Sequence, residues 1–131
     1  MGYRFVEHGG EVEVELESTS EAGIFEEALA ALAELVSSGE GGAAVGHEIE
    51  LVSDDRALLL VDLLNELVFL AEVEQLVPER LDSVELVGNT LHASVRGRRG
   101  RARHLVKAVT LNRLDLRQEG DGWHARVVLD V

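Results

Sequence analysis

The sequence predicts an α+β fold, with two main helices packed on a mostly antiparallel β-sheet. Three observations carry that prediction. Apolar and acidic residues alternate strictly from Glu11 to Glu17, and the apolar spacing becomes helical directly afterwards. A second helical stretch, from Ala57, is apolar on nearly all sides. Beyond Pro78 the chain returns to short alternating runs separated by turn residues. The resulting order is β-β-α-β-α-β-β-β-β.

Tyr3 to Glu7 reads as a short strand, and Gly9-Gly10 as a turn. Glu11 to Glu17 is a strand with Val12, Val14 and Leu16 facing inward. Ser18 and Glu21 form a capping-box pattern for the first helix. Phe25, Ala28, Leu29, Leu32, Leu35 and Val36 fall on one helical face, and the helix is predicted to stop near Ser37 to Gly39. Gly23 in its first turns is mildly unfavourable. "SSGEGGAAVG" has the composition of a flexible loop, and "HEIELV" that of a short strand. Ser53-Asp54-Asp55 begins the second helix, Ala57 to Leu76, whose polar stripe is Asp62, Asn65, Glu66 and Glu72. The remaining strands are Ser83 to Val87, Leu91 to Val95, Leu105 to Leu116 and Trp123 to Val131. Gly88-Asn89 and "EGDG" at 119–122 are turns between them.

A chain of 131 residues with 46% hydrophobic content is predicted to form one domain over residues 1–131. Aromatic residues are 4%, so the core must be aliphatic. There is no cysteine, which excludes disulfides, zinc–thiolate sites and cysteine nucleophiles. No signal-peptide pattern opens the sequence, and Ala57 to Ala71 is too short and too polar to span a bilayer. A cytoplasmic protein with no membrane partner is the expectation. The net charge of −13 is unevenly distributed. Residues 1–95 hold 3 basic and 21 acidic side chains, whereas residues 96–131 hold 9 and 4. Such an acidic body repels nucleic acid, so a basic protein surface or a metal ion suits it better.

Motifs for catalysis are weak. There is no Gly-x-Ser-x-Gly, and "GEGGAAVG" lacks the Gly-Lys-Ser/Thr ending of a phosphate loop. The five histidines are scattered, with His104 and His124 on strand candidates. The arginine run Arg96 to Arg103 lies between two strands; it reads as a solvated hairpin tip, with a minor RNA or acidic-partner contact as the functional alternative. The oxygen-rich candidates are Glu11, beside the Gly9-Gly10 turn, and Asp130 with the α-carboxylate of Val131.

Four segments resemble the archease family. "YRFVEHGGEVEVEL" is similar to its opening strand and His-Thr-Ala-Asp turn. "LLLVDLLNELVFLAEVEQLV" resembles its central helix, "LVKAVTLNRLDL" its Lys-Ala-Val-Thr-Tyr-His segment, and "DGWHARVVLDV" its closing strand. The resemblance implies a non-catalytic activator of the GTP-dependent RNA ligase of tRNA splicing and RNA repair. That ligase joins 3′-phosphate or 2′,3′-cyclic phosphate ends to 5′-hydroxyl ends. An activator of this class promotes ligase guanylylation and multiple turnover. It meets RNA only indirectly, through the ligase. The resemblance also implies a divalent metal, calcium, magnesium or manganese, held by Glu11, Asp130 and Val131. Lys107 and His8 are then contacts to phosphate or partner.

The sequence departs from the family at these positions. His-Thr-Ala-Asp is replaced by His8-Gly9-Gly10-Glu11, and Thr-Tyr-His by Thr110-Leu111-Asn112. Glutamate reaches about 1.5 Å further than aspartate. The alternative function is therefore a chaperone-like binding module with a degenerate metal site. An independent metal-dependent hydrolase ranks last, because no base–nucleophile pair is recognisable.

Overall fold

The computed structural model describes residues 2–37, 41–103 and 106–131. The chain runs β1 (Gly2–His8), β2 (Glu11–Ser18), α1 (Glu21–Val36), β3 (Ala44–Val52), α2 (Arg56–Glu72), β4 (Leu76–Val87), β5 (Thr90–Arg99), β6 (Ala108–Glu119) and β7 (Gly122–Asp130). The α+β class and the order of elements agree with the sequence-based expectation. The strands divide into two sheets, one of order β1-β2-β7-β6 and one of order β3-β5-β4, with every pairing antiparallel. The helices pack on each other, and each touches strands of both sheets. No helix among the described residues is long and apolar enough to cross a membrane.

Alternation decides the faces. Val12, Val14 and Leu16 of β2 are buried, and their register partners Leu129, Val127 and Ala125 on β7 are buried with them. These side chains join Ile24, Phe25 and Leu29 of α1 and Leu60, Leu63 and Leu64 of α2 in one core cluster. The intervening glutamates of β2 lie on the opposite, outer face. The β1–β2 turn needs positive φ at both central residues, and Gly9 (32°) and Gly10 (83°) supply it without a Cβ penalty.

Several boundaries differ from the sequence reading. The cap of α1 is Ser20, whose hydroxyl accepts the Gly23 amide at 3.0 Å, so the expected Ser18–Glu21 box does not form. Ser18 is instead the buried last residue of β2. A Cβ on Gly23 would lie 1.9 Å from its Oγ, so glycine is required where α1 crosses the strand end. The helix ends at Val36 with Ser37 as its C-cap, and residues 38–40 lie outside the described residues. β3 starts at Ala44, inside the stretch expected to be a loop, because 44–46 pair with Arg96 to Arg98. α2 stops at Glu72 rather than Leu76. Gln75 adopts a left-handed φ of 53°, and Leu76 and Val77 are buried in β4.

The arginine run is not a hairpin tip. Arg96, Arg98 and Arg99 belong to β5, which leads into the other sheet. Arg96 pairs with Asp82 at 2.9 Å and Arg98 with Glu79 at 3.2 Å. Hydrogen bonds from Arg96, then Arg80, hold the Asp82 carboxyl below its usual range. Neither helix carries a basic residue in its last turn. Arg103 donates to the Leu35 carbonyl at 3.4 Å, at the end of α1, and Arg99 donates to the Glu74 carbonyl at 3.0 Å, just beyond α2. Both guanidinium groups thus sit at the negative ends of helix dipoles. His104 and Leu105, also placed on a strand by the sequence reading, lie outside the described residues.

Asn65 has a positioning role that its place in the polar stripe did not disclose. Its Nδ2 donates to the Val109 carbonyl at 3.2 Å, and its Oδ1 accepts the Val109 amide at 3.0 Å. β6 is an edge strand, so one side of its backbone has no strand partner. Asn65 satisfies both groups and fixes β6 to α2.

Two substitutions test these contacts by urea denaturation. Gly23→Ala is expected to destabilise the fold by about 2 kcal/mol, because the clash with Ser18 outweighs alanine's helical advantage. Asn65→Leu leaves two backbone groups unpaired and is expected to cost about 2–4 kcal/mol. A loss below roughly 0.5 kcal/mol, the range of an uninvolved surface site, would mean that the clamp adds nothing.

Candidate functional site

The sequence-predicted residues meet at one end of the four-stranded sheet. His8 opposes Glu11 across the β1–β2 hairpin, Glu11 opposes Asp130 on β7, and Asp130 opposes Ala108 on β6. Directly opposed residues share a face, so these side chains form one cross-strand row on the outer surface. The Val131 amide donates to the Gly10 carbonyl at 3.2 Å, and the Lys107 amide to the Asp130 carbonyl at 2.7 Å. Val131 and Lys107 are thereby held at the ends of the row through their backbones. The Lys107 side chain is exposed, and its ammonium has no carboxylate of a described residue within the 4.0 Å of an ion pair. The side chain in the row is that of Ala108.

Two carboxylates directly opposite one another repel. The neighbouring bulge supplies a counter-charge. Thr110 pairs with Val128, and the next ladder pair is Asp115 with Arg126, so residues 111–114 bulge opposite Val127 alone. The Thr110 hydroxyl donates to the Val128 carbonyl and accepts the Asn112 amide, each at 3.3 Å. Arg113 then takes a left-handed φ of 54°. Its Nε lies 3.3 Å from Glu13 Oε1 and its Nη2 4.0 Å from Glu11 Oε1. Arg113 is on β6 and Glu13 on β2, with β7 between them. The guanidinium must therefore cross β7 at the level of Val128, the register partner of Glu13. Val128 is 0% exposed although it lies on the outer face, consistent with that cover. Arg126 Nε donates to the Arg113 carbonyl at 2.8 Å and steadies the bulge from beneath.

The opposite end of the same face is a groove of about 550 Å³ whose charged walls include Arg4, Glu15, Asp115 and Arg117. Its charges are matched internally: Arg4 pairs with Glu15, and Arg117 with Asp115 and Glu119. The hydrogen bond from Arg117 holds the Glu119 carboxyl below its ordinary range. His124 is 3.5 Å from Glu17 on this surface.

The implied metal meets a mixed arrangement. The donors are all hard oxygens, which suit calcium, magnesium or manganese. Glu11 and Asp130 are adjacent by register. Among the described residues, no group of three or more Asp, Glu, His or Cys is arranged to hold a metal ion. An ion bound here would therefore have two side-chain carboxylates and main-chain oxygen from Val131 as its donors. That donor chemistry fits, with Arg113 as the neighbouring cation. Sequence reasoning missed Arg113 and Thr110. Thr110 stood out only as the last residue of the Lys-Ala-Val-Thr resemblance and Arg113 not at all, because one matters through the bulge and the other through the strand that it crosses.

The archease protein family model matches residues 3–131. The archease of Methanosarcina barkeri is 30% identical to this chain, over 98% of this chain and 95% of its own. That of Methanothermobacter thermautotrophicus is 31% identical, over 82% and 83%. The fold is similar to the solution structure of Methanobacterium thermoautotrophicum protein 1598, with a TM-score of 0.74, 24% identity and 99% of each chain covered. It is also similar to the crystal structure of an archease, possible chaperone, from Thermotoga maritima. Here the TM-score is 0.72 and the identity 23%, over 96% of this chain and 94% of that one. Nearly the whole sequence matches the family model, and the chain belongs to the archease family.

Proposed function

We propose that this protein is a non-catalytic activator of a GTP-dependent RNA ligase that joins 3′-phosphate to 5′-hydroxyl RNA ends in tRNA splicing or RNA repair. It promotes ligase guanylylation and multiple turnover through a divalent cation held by Glu11, Asp130 and Val131. Family membership supports the partner. The observation that best supports the ion is the direct opposition of Glu11 and Asp130, from opposite ends of the chain, on one exposed sheet face. A cation placed there would offset their repulsion and be presented outward, where another protein can reach it. Lys107 and His8, at the margins of the row, are contacts to phosphate or to the ligase. RNA is met through the ligase, with a minor contribution from the Arg96–Arg103 segment. The reading includes a cytoplasmic location.

The second reading is a chaperone-like protein-binding module with a degenerate metal site. It is favoured by the approach of Arg113 to Glu11, which engages a ligand carboxylate. The Thermotoga maritima protein is described as a possible chaperone.

Two experiments separate the readings. Guanylylation and multiple-turnover ligation by the cognate ligase are measured with and without the protein. Stimulation of both is expected, and an unchanged ligase would sink the activator reading. Calorimetry with calcium, magnesium and manganese is run on the wild type and on Asp130→Ala. The variant is expected to lose at least roughly tenfold in affinity, as for removal of a group that supports a metal site. Equal binding by the two proteins would remove Asp130 from the ligand set.

A further inference from the structure

Arg113 occupies an unusual position for an arginine. Its left-handed φ of 54° lies in a region that residues with a Cβ rarely enter, because the Cβ crowds the neighbouring carbonyl oxygen. The bulge and the Arg126 bond to its carbonyl hold it there. The result is a guanidinium carried across β7 and set against two glutamates of β2. Of these, Glu13 is the closer, at 3.3 Å, and its side chain is only 14% exposed. Glu11, at 4.0 Å, is the looser contact and is 36% exposed. The arrangement is asymmetric: one carboxylate anchors the arginine, and the other shares its charge.

We propose that Arg113 is a tethered counter-cation that competes with divalent metal for Glu11 and so sets the affinity of the site. Without metal, the guanidinium offsets the charges of Glu11 and Glu13 beside Asp130. When a divalent cation takes Glu11, Arg113 retreats onto Glu13 and stays anchored. This inference rests on the metal reading given above. It adds that the chain carries its own competitor for the ion on the β6 bulge. The chemistry is ordinary cation exchange at a carboxylate: no bond is made or broken, and one positive group replaces another.

Manganese binding to wild type, Arg113→Gln, Arg113→Lys and Asp130→Asn, followed by calorimetry at low ionic strength, tests the inference. Arg113→Gln keeps the backbone carbonyl that Arg126 uses, so the bulge retains its support. Removing a unit charge about 4 Å from a ligand, in a partly solvated site, is expected to tighten manganese binding roughly fivefold to tenfold. The gain is expected to shrink as salt is raised, because the competing charge is screened. Arg113→Lys is expected to bind manganese as the wild type does. If binding depends on Asp130 but Arg113→Gln has wild-type or weaker affinity, the counter-cation role is overturned and the metal reading stands. If neither the wild type nor Arg113→Gln binds manganese, both fall together.

Discussion

The pairing of β2 with β7 is the constraint on which the rest of the structure depends. These two strands are the centre of the four-stranded sheet, and they join the beginning of the chain to its end. Their register buries Val12, Val14 and Leu16 together with Leu129, Val127 and Ala125. The same register sets Glu11 opposite Asp130 on the other face. A slip of one residue would turn the core face outward, so burial on one side specifies the site on the other. The carboxylates are therefore positioned by hydrophobic packing that they take no part in.

The edge strand β6 brings the other half of the site. Asn65 ties its Val109 backbone to α2, and β7 pairs with it from the opposite side. Held at these points, β6 accommodates extra residues as a bulge over the outer face, and Arg113 reaches across to β2. The charge asymmetry of the sequence is resolved in the same manner. The basic final segment does not form a separate surface domain. Arg113 serves β2, Arg96 and Arg98 serve β4, and Arg99 and Arg103 serve the ends of the two helices. Much of the apparent nucleic-acid signal in that segment is consumed within the fold.

The elements most legible in the sequence were those whose periodicity is strong and whose ends carry turn chemistry. The Glu11–Glu17 alternation, the Gly9-Gly10 and Gly88-Asn89 turns and the apolar faces of both helices are of this kind. Local pattern failed where a long-range contact overrode it. Ser18 resembles a helix cap, but it is drawn into β2 by pairing with Trp123. Leu76 and Val77 continue a helical pattern, yet they are buried in β4 instead. The alanine and glycine that begin β3 look like loop, and become strand because β5 lies beside them.

By itself, the sequence determined the α+β class, the order of nine elements and the resemblance to archeases. Each follows from local periodicity or from contiguous motifs. It also singled out Glu11, Asp130 and Val131 through those motifs, without showing that they meet. Tertiary structure alone decided that Glu11 and Asp130 share one row, that Ala108 rather than the Lys107 side chain completes it, and that Arg113 joins them. The physical reason is that register between distant strands, and the side-chain reach of a bulge, arise from packing of the whole chain and leave no mark on neighbouring residues.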